Sequence, residues 1–518
     1  MLKNRALILI DGIHKPDNTV ESINELKRQH KFEIEKLLWI GGTEKIKTKS
    51  SFSAIFLKEF SVNVIFPEKL ENGCYNAENE LRKALKEGGI ETVVQLCGAP
   101  QVFRNITNRF ANIAISFGAC YIAGGTIFKE HHISIAHNKP SLGLYATNKR
   151  VGKTAFGSYA GRLLSGMKEF SAAWEPIIIT HSRGGPPEPF VLSVYKDRIN
   201  KDIADISLSD ICNTRFRTDY LERLLDFNLH GASDVFEDAL IMSVYLDNHE
   251  RLGLKIPIIS IIGCRRAGAG YFQEFAVSNV EKGVIKANKI RGNIVVHEGS
   301  GGEHPPVKVD GTIYFIPSDI SLEQLEDFPG IDSASLVIIA NCQEESSEIP
   351  YLLEMEKIIS GKNPEANIIW TQFVPEIIGP VEKLKNRNIV FLTTAPGYIL
   401  SKLEKAIEEK YGCRVIKTFN CLDKRQEMLH AIDEAAGCNN VDYFIFEIKA
   451  QGVEGAKYVQ KTHGKEFFYV NNMPQEVNRK LKPAGSNINL DREIIKSAND
   501  AVKCFNKQRG KDFPLAKI

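Results

Sequence analysis

Glycine, lysine and threonine stand together at Gly152-Lys153-Thr154, closing the run Thr147-Asn148-Lys149-Arg150-Val151-Gly152-Lys153-Thr154-Ala155. The apolar stretch Ser141–Ala146 before it reads as a strand, and a helical pattern begins at Thr154. At a strand-to-helix turn, backbone N–H groups and the helix N-terminus form an anion site. Gly152 lets the backbone approach a phosphate oxygen, Lys153 reaches β- and γ-phosphates, and the Thr154 hydroxyl can ligate Mg²⁺. The spacing predicts that Thr147, Asn148, Val151, Gly152, Lys153, Thr154 and Ala155 hold ATP. Thr147 takes the place that a first glycine usually has in such loops.

A magnesium ion on a nucleotide needs a carboxylate, and the run Ile294-Val295-Val296-His297-Glu298-Gly299-Ser300-Gly301-Gly302 offers one at a strand end. Glu298 is the candidate ligand, the alternative being an ordinary glycine-rich turn with a solvated glutamate. His297 reads as a buried or supporting histidine, because no residue nearby has zinc-ligand spacing. Two more loops after apolar stretches carry arginine with glycine or proline: Arg183-Gly184-Gly185-Pro186-Pro187, and Gly263-Cys264-Arg265-Arg266. Arginine gives bidentate, permanently charged contacts to phosphate. With Lys149 and Arg150, Arg183, Arg265 and Arg266 could converge on several phosphate groups, although each arginine could also pin loop carbonyls. Glu237 and Asp238 could supply a second carboxylate or solvate a helix.

Such residues need a scaffold that brings strand ends together. Strand-like runs at Ala6–Ile10, Lys36–Ile40, Val62–Phe66 and Thr92–Gln95 alternate with helical patterns at Val20–Gln29 and Ala77–Glu87. Further strands are expected at Pro176–Thr180, Pro257–Ile262, Gly292–His297, Ser335–Ala340, Ile389–Thr393 and Tyr443–Phe446. Alternation of this kind predicts an α/β protein with doubly wound, mostly parallel sheets. The expected organisation is an N-terminal α/β domain over 1–135 and a P-loop NTPase-like domain over 136–490 with a subdivision near 385. A charged helical tail over 491–518 reads as a surface appendage. Loops at the carboxyl ends of parallel strands face the ligand crevice, so Asp11, His14, Gly41 and Gly42 are candidates for a second, substrate-binding site.

The bulk numbers narrow the class. A net charge of +2 over 518 residues gives no field that would gather a nucleic acid. No apolar run is long enough to span a bilayer, and the first residues are too short in apolar content for a secretory signal. Ten cysteines without a C-x-x-C pair argue for reduced thiols, and hence a cytoplasmic protein. A nucleotide switch or metallochaperone is a weaker alternative, since a metal-binding His or Cys cluster is missing from the pattern.

Thr147 in place of glycine resembles the variant loop of dethiobiotin synthetase-like ATPases. A longer resemblance runs through Ile8-Leu9-Ile10-Asp11-Gly12, Ile40-Gly41-Gly42-Thr43-Glu44-Lys45, Lys149 to Thr154, Arg183 to Pro189, Gly263 to Arg266, His297 to Gly301 and Glu447-Ile448-Lys449-Ala450. Nearly the whole chain is similar to the cyclic 2,3-diphosphoglycerate synthetases of methanogenic archaea. That resemblance implies an ATP-dependent ligase with Mg²⁺, and with K⁺ as a further candidate cofactor. Its substrate would be 2,3-diphosphoglycerate or a similar polyanionic acid, closed into an intramolecular phosphoanhydride with release of ADP and phosphate. A related enzyme that activates another phosphorylated or carboxylic acid is the alternative. The residues leave open whether subunits pair as a homodimer.

Overall fold

In a computed structural model the described residues are 4–70, 75–98, 102–130, 135–147, 151–165, 174–182, 188–193, 259–267, 277–299, 306–342, 346–378, 380–395, 397–438, 440–448 and 450–516. The N-terminal unit contains β1 (Asn4–Ile10), β2 (Phe32–Trp39), β3 (Val64–Ile65), β4 (Thr92–Gln95), β5 (Cys120–Ala123) and β6 (Thr126–Phe128). Their order is β3-β2-β1-β4-β5-β6, all parallel except for β6. Residues Ala6 to Ile10 of β1 are wholly buried, as a central strand covered on both faces requires. Helices Pro16–His30 and Lys49–Phe60 cover one face, and Ala77–Lys86 and Arg104–Ser116 the other. The first helix starts four residues before the predicted Val20. Pro16 opens it, where a missing N–H costs nothing.

The second pair of helices docks this unit on the rest of the chain. Arg82 Nε donates to Asp332 Oδ1 at 2.6 Å, and Asn112 Nδ2 donates to the Asp327 carbonyl at 2.6 Å. The Asp332 side chain is fully buried, and Lys362 Nζ lies 4.0 Å from its other oxygen.

A larger sheet comprises β7 (Ser141–Ala146), β8 (Pro176–Ser182), β9 (Phe190–Ser193), β10 (Ile259–Ala267), β11 (Val277–Ser278), β12 (Ile294–Gly299), β13 (Gly311–Pro317), β14 (Leu336–Ala340), β15 (Asn367–Ile378), β16 (Asn388–Leu392), β17 (Arg414–Phe419), β18 (Tyr443–Glu447) and β19 (Glu466–Val477). The order is β11-β10-β8-β12-β7-β13-β14-β15-β19-β18-β16-β17, with β9 on β10. From β10 to β15 the strands are parallel; β19 then runs antiparallel to β15, and β18, β16 and β17 follow the direction of β19. Strands β7 and β12 are buried throughout, so both of their faces are packed.

The C-terminal helix corrects an expectation. Ile488–Arg509 is not a surface appendage: Leu490, Ile494, Ile495, Ala498, Ala501 and Val502 are buried in the same core as Leu142, Phe156 and Phe315. Apart from the buried Asp491, its charges lie outside the packed stripe, and the apolar residues recurring every three or four positions form a stripe that the sheet needs as cover. Tyr159 of the helix Lys153–Leu164 donates a hydrogen bond to Asp491, and Leu490 N–H donates to Glu476 Oε2 at 3.0 Å. Ala501 faces Gly311 of β13 so closely that a Cβ on Gly311 would stand 2.9 Å from the Ala501 Cβ. Enlarging Ala501 to leucine should therefore cost about 1–3 kcal/mol of stability by overpacking. A chemical-denaturation midpoint unchanged in Ala501→Leu would contradict this placement.

Candidate functional site

Strand β7 leads directly into the glycine-lysine turn. Thr147 N–H donates to the Phe315 carbonyl at 3.1 Å, which keeps the chain on the sheet for one residue after the strand ends. Gly152 then adopts φ +78, a left-handed conformation that glycine takes without strain, and caps the helix Lys153–Leu164. A Cβ at Gly152 would overlap the Phe373 ring of β15, so this loop backbone passes directly beneath an aromatic side chain. Lys153, at the first helical position, is buried, as are Thr147 and Val151.

The β-sheet register places the predicted carboxylate. Glu298 of β12 lies opposite Leu144 of β7 and Thr180 of β8, so its side chain emerges on the face covered by the helix Lys153–Leu164. Gly157 in that helix makes room: a Cβ there would stand 2.9 Å from Glu298 Cγ. Glu298 is wholly buried at the carboxyl edge. The hydroxyls of Thr147 and Thr180 are also buried, with no hydrogen-bond partner among the described residues. Carboxylate and hydroxyl oxygens are the donor type that a hard cation such as Mg²⁺ takes, so the residues present fit that ion.

Strands β7, β12, β8 and β10 are consecutive neighbours in the sheet and parallel, so their carboxyl ends share one edge. Gly299 lies opposite His181, His181 opposite Cys264, and Ser182 opposite Arg265. The sheet therefore brings Glu298, the end of β8 just before Arg183, and Arg265 and Arg266 of β10 to the edge from which the loop after β7 rises. Arg265 and Arg266 fall within β10 rather than in a loop beyond it, because the strand continues to Ala267 by pairing Arg266 with Ser278 of β11. Their side chains, and that of Thr154, lie outside the described residues. So do Asn148, Lys149, Arg150, Arg183, Gly184, Gly185, Glu237, Asp238, Ser300, Gly301 and Gly302.

On the opposite face of β12 three histidines form a buried chain. His137 Nε2 meets His297 Nε2 at 2.6 Å, and His297 Nδ1 meets His181 Nε2 at 2.8 Å. In each pair one nitrogen donates and the other accepts. Burial holds His297 well below the ordinary histidine range, and pushes His137 down to about 4, in both cases helped by neighbouring basic groups. His297 and His137 are thus neutral near neutral pH, consistent with His297 as a supporting residue. Beside them burial raises the Cys264 thiol to about 12, so that it stays protonated.

Asp11, His14, Gly41 and Gly42 also come together, in the N-terminal unit. Asp11 Oδ1 accepts from Ile13 N–H at 3.0 Å, His14 N–H at 3.1 Å and His14 Nδ1 at 2.8 Å. Gly12 N–H donates to the Gly41 carbonyl at 2.9 Å, and a Cβ at Gly12 would overlap the Gly42 carbonyl, so the two loops interlock. Asp11 and His14 line a cavity of about 80 Å³ with Asn18, Thr19 and Ser22. It opens at the β1/β4 junction, where the strand order reverses and α/β sheets bind ligands.

Sequence reasoning takes Glu447 only within the run Glu447-Ile448-Lys449-Ala450 and does not show the polar cluster it forms at the carboxyl ends of β16 and β18. Glu447 Oε2 accepts from Thr393 Oγ1 at 2.8 Å and from Thr394 N–H at 2.8 Å, and its Oε1 accepts from Asn472 Nδ2 at 2.7 Å. Nothing in the spacing joins positions 393, 447 and 472; the signals were the resemblance run at Glu447 and the nearness of Thr393 to a strand end.

Comparison with known proteins bears on the whole chain. Models of the cyclic 2,3-diphosphoglycerate synthetase N-terminal, P-loop and C-terminal domains match residues 5–129, 141–372 and 380–473. Cyclic 2,3-diphosphoglycerate synthetase of Thermococcus sibiricus is 30% identical over 480 residues, 92% of this chain and 95% of the relative. That of Pyrococcus furiosus is 30% identical, covering 94% of this chain and 98% of its own. That of Methanothermus fervidus is 29% identical, covering 98% of this chain and 99% of its own. With three domain models in chain order and relatives matched over nearly their full length, the chain belongs to the cyclic 2,3-diphosphoglycerate synthetase family.

Proposed function

We propose that this protein is an ATP-dependent ligase that joins the two phosphates of 2,3-diphosphoglycerate into an intramolecular phosphoanhydride, releasing ADP and phosphate. The observation that carries the reading is Lys153, buried at the start of the helix after β7, with Glu298 on the adjacent parallel strand β12. An oxygen of one substrate phosphate attacks the γ-phosphorus of ATP, and the bond to the β-phosphate oxygen breaks to release ADP. An oxygen of the neighbouring phosphate then attacks the activated substrate phosphorus, and inorganic phosphate leaves as the ring closes. Neither step needs a protein nucleophile, since phosphoryl transfer depends on positioning and charge neutralisation.

In this reading Thr147, Asn148, Val151, Gly152, Lys153, Thr154 and Ala155 hold the nucleotide phosphates. Thr154 and Glu298 would hold Mg²⁺, which neutralises phosphate charge when bound. Lys149, Arg150, Arg183, Arg265 and Arg266 neutralise the acid, whose two phosphates and carboxylate call for several cations. Asp11, His14, Gly41, Gly42, Gly184 and Gly185 contribute to substrate binding. Potassium is a candidate activator, and the cytoplasm the compartment.

ADP release measured against a panel of acids tests the proposal: 2,3-diphosphoglycerate should stimulate it most, and preference for an unphosphorylated acid would contradict the reading. Lys153→Ala should lower kcat by about 100-fold or more with the melting temperature maintained, because it removes a donor aimed at transferring phosphate. Retained turnover would misplace the site. Arg183→Ala and Arg265→Ala should each raise KM for the acid about tenfold or more while leaving KM for ATP nearly unchanged, through loss of charge-assisted hydrogen bonds. Unchanged kinetics in both would remove those arginines from the site.

A further inference from the structure

Strand β8 alternates between two cores until its carboxyl end. Ile178 packs on the face covered by the helix Lys153–Leu164, while Ile177 and Ile179 pack on the other. His181, two residues after Ile179, joins the histidine chain on that other face. Successive side chains of a strand point to opposite faces, so Thr180 shares the helix-covered face with Ile178. Register sets its neighbour: Glu298 of β12 lies opposite Thr180, just as Val296 lies opposite Ile178. Both Thr180 and Glu298 are buried.

Packing alone would select a different residue there. The run Ile177 to Ile179 consists of the β-branched apolar residues that suit a buried strand, and valine has the shape of threonine without its hydroxyl. Thr180 Oγ1 is buried and bonds no protein group among the described residues. Such a hydroxyl costs free energy that valine would avoid, so it weakens the fold. An orphan hydroxyl by itself does not make a site: Thr418 Oγ1, on the edge strand β17, is another. What separates Thr180 from Thr418 is its surroundings.

On one side stands Glu298, the carboxylate assigned above to the cation, with Gly157 of the covering helix leaving space for it. On the other side β10 bulges. Ile261 pairs with Ile179 and Cys264 with His181, so Ile262 and Gly263 together stand opposite Thr180 alone. Gly263 takes φ +80, which glycine adopts without strain, and its carbonyl accepts from Asn279 Nδ2 at 3.0 Å. A bulge interrupts the regular pairing, and Gly263 has no side chain to cover the hydroxyl from that flank. Two adjacent strands thus present a carboxylate and an unbonded hydroxyl side by side at their carboxyl ends, under the helix that Lys153 opens.

We propose that Thr180 is a positioning residue of the cation site, whose hydroxyl accepts a hydrogen bond from a water of the hydrated Mg²⁺ that Glu298 holds. The inference rests on the assignment of Glu298 to Mg²⁺ made above. Mg²⁺ gives up its waters reluctantly and keeps several of them beside carboxylate and phosphate oxygens. Each retained water has hydrogens to donate, and a threonine oxygen has lone pairs to accept them. Partners of this kind orient what the metal holds and set its affinity, without taking part in bond making or breaking. The same hydroxyl therefore opposes folding and favours metal binding.

Two measurements on the full chain test this: the melting temperature without metal, and binding of Mn²⁺, a paramagnetic substitute for Mg²⁺, followed by EPR in the presence of a β,γ-imido analogue of ATP. Thr180→Val should weaken Mn²⁺ binding about tenfold or more, as loss of a supporting hydrogen bond does at metal sites. Its metal-free melting temperature should hold or rise, because a methyl group replaces an unbonded hydroxyl. Thr180→Ser, which restores the hydroxyl, should recover most of the affinity. Thr418→Val, at the far end of the sheet, should leave Mn²⁺ binding unchanged. Wild-type affinity in Thr180→Val overturns the proposal. So does a lowered metal-free melting temperature or a failure of that variant to fold, since the hydroxyl would then serve the fold. Glu298→Gln separates this inference from the reading beneath it. If Glu298→Gln weakens Mn²⁺ binding and Thr180→Val does not, the role of Thr180 alone falls; if neither does, the assignment of Glu298 falls with it.

Discussion

The parallel register of β7 with β12 is the constraint on which the rest depends. It sets Glu298 level with Leu144, two residues before the strand yields to the phosphate loop, and so fixes the carboxylate against the helix that Lys153 opens. A slip by one residue would turn Glu298 to the other face, into the histidine chain, and bring His297 under the helix. The buried apolar residues of both strands oppose that slip, because each would exchange a packed face for the wrong one. The geometry of the candidate site and the packing of the core are therefore set by the same register.

Much of this edge was legible from local pattern. Ser141–Ala146 and Thr92–Gln95 coincide with observed strands, and the glycine-lysine turn lies where a strand ends and a helix begins. These features are written in a few adjacent residues. Glu298 was legible for the same reason, as the polar end of an apolar run. The C-terminal helix was misread because its charges are frequent and its apolar stripe has meaning only beside β7 and β13, which lie more than 150 residues earlier in the chain. Strand β19 escaped notice, since Asn471, Asn472 and Pro474 break the usual strand composition. Their suitability arises from the pairing with β15: Pro474, without an N–H, fits a non-bonded position of the antiparallel ladder, and Asn472 reaches Glu447.

Several buried polar groups are bonded within the protein: Asp332 Oδ1 by Arg82, Glu447 by two threonines and Asn472, and His297 by two histidines. Beside the phosphate loop, the hydroxyls of Thr147 and Thr180 are left without such partners among the described residues. Burying a hydroxyl without a hydrogen bond costs about 1–3 kcal/mol on protein scales. At Thr147 and Thr180, phosphates and a cation would offset that cost.

The central claim is ring closure between two phosphates at this edge. Phosphorus NMR of a reaction containing ATP, Mg²⁺ and 2,3-diphosphoglycerate addresses it directly. The account predicts that the two phosphomonoester signals of the acid give way to coupled phosphoanhydride signals, in equal amount to the ADP and phosphate formed. ADP and phosphate accumulating while both phosphomonoester signals persist would contradict it.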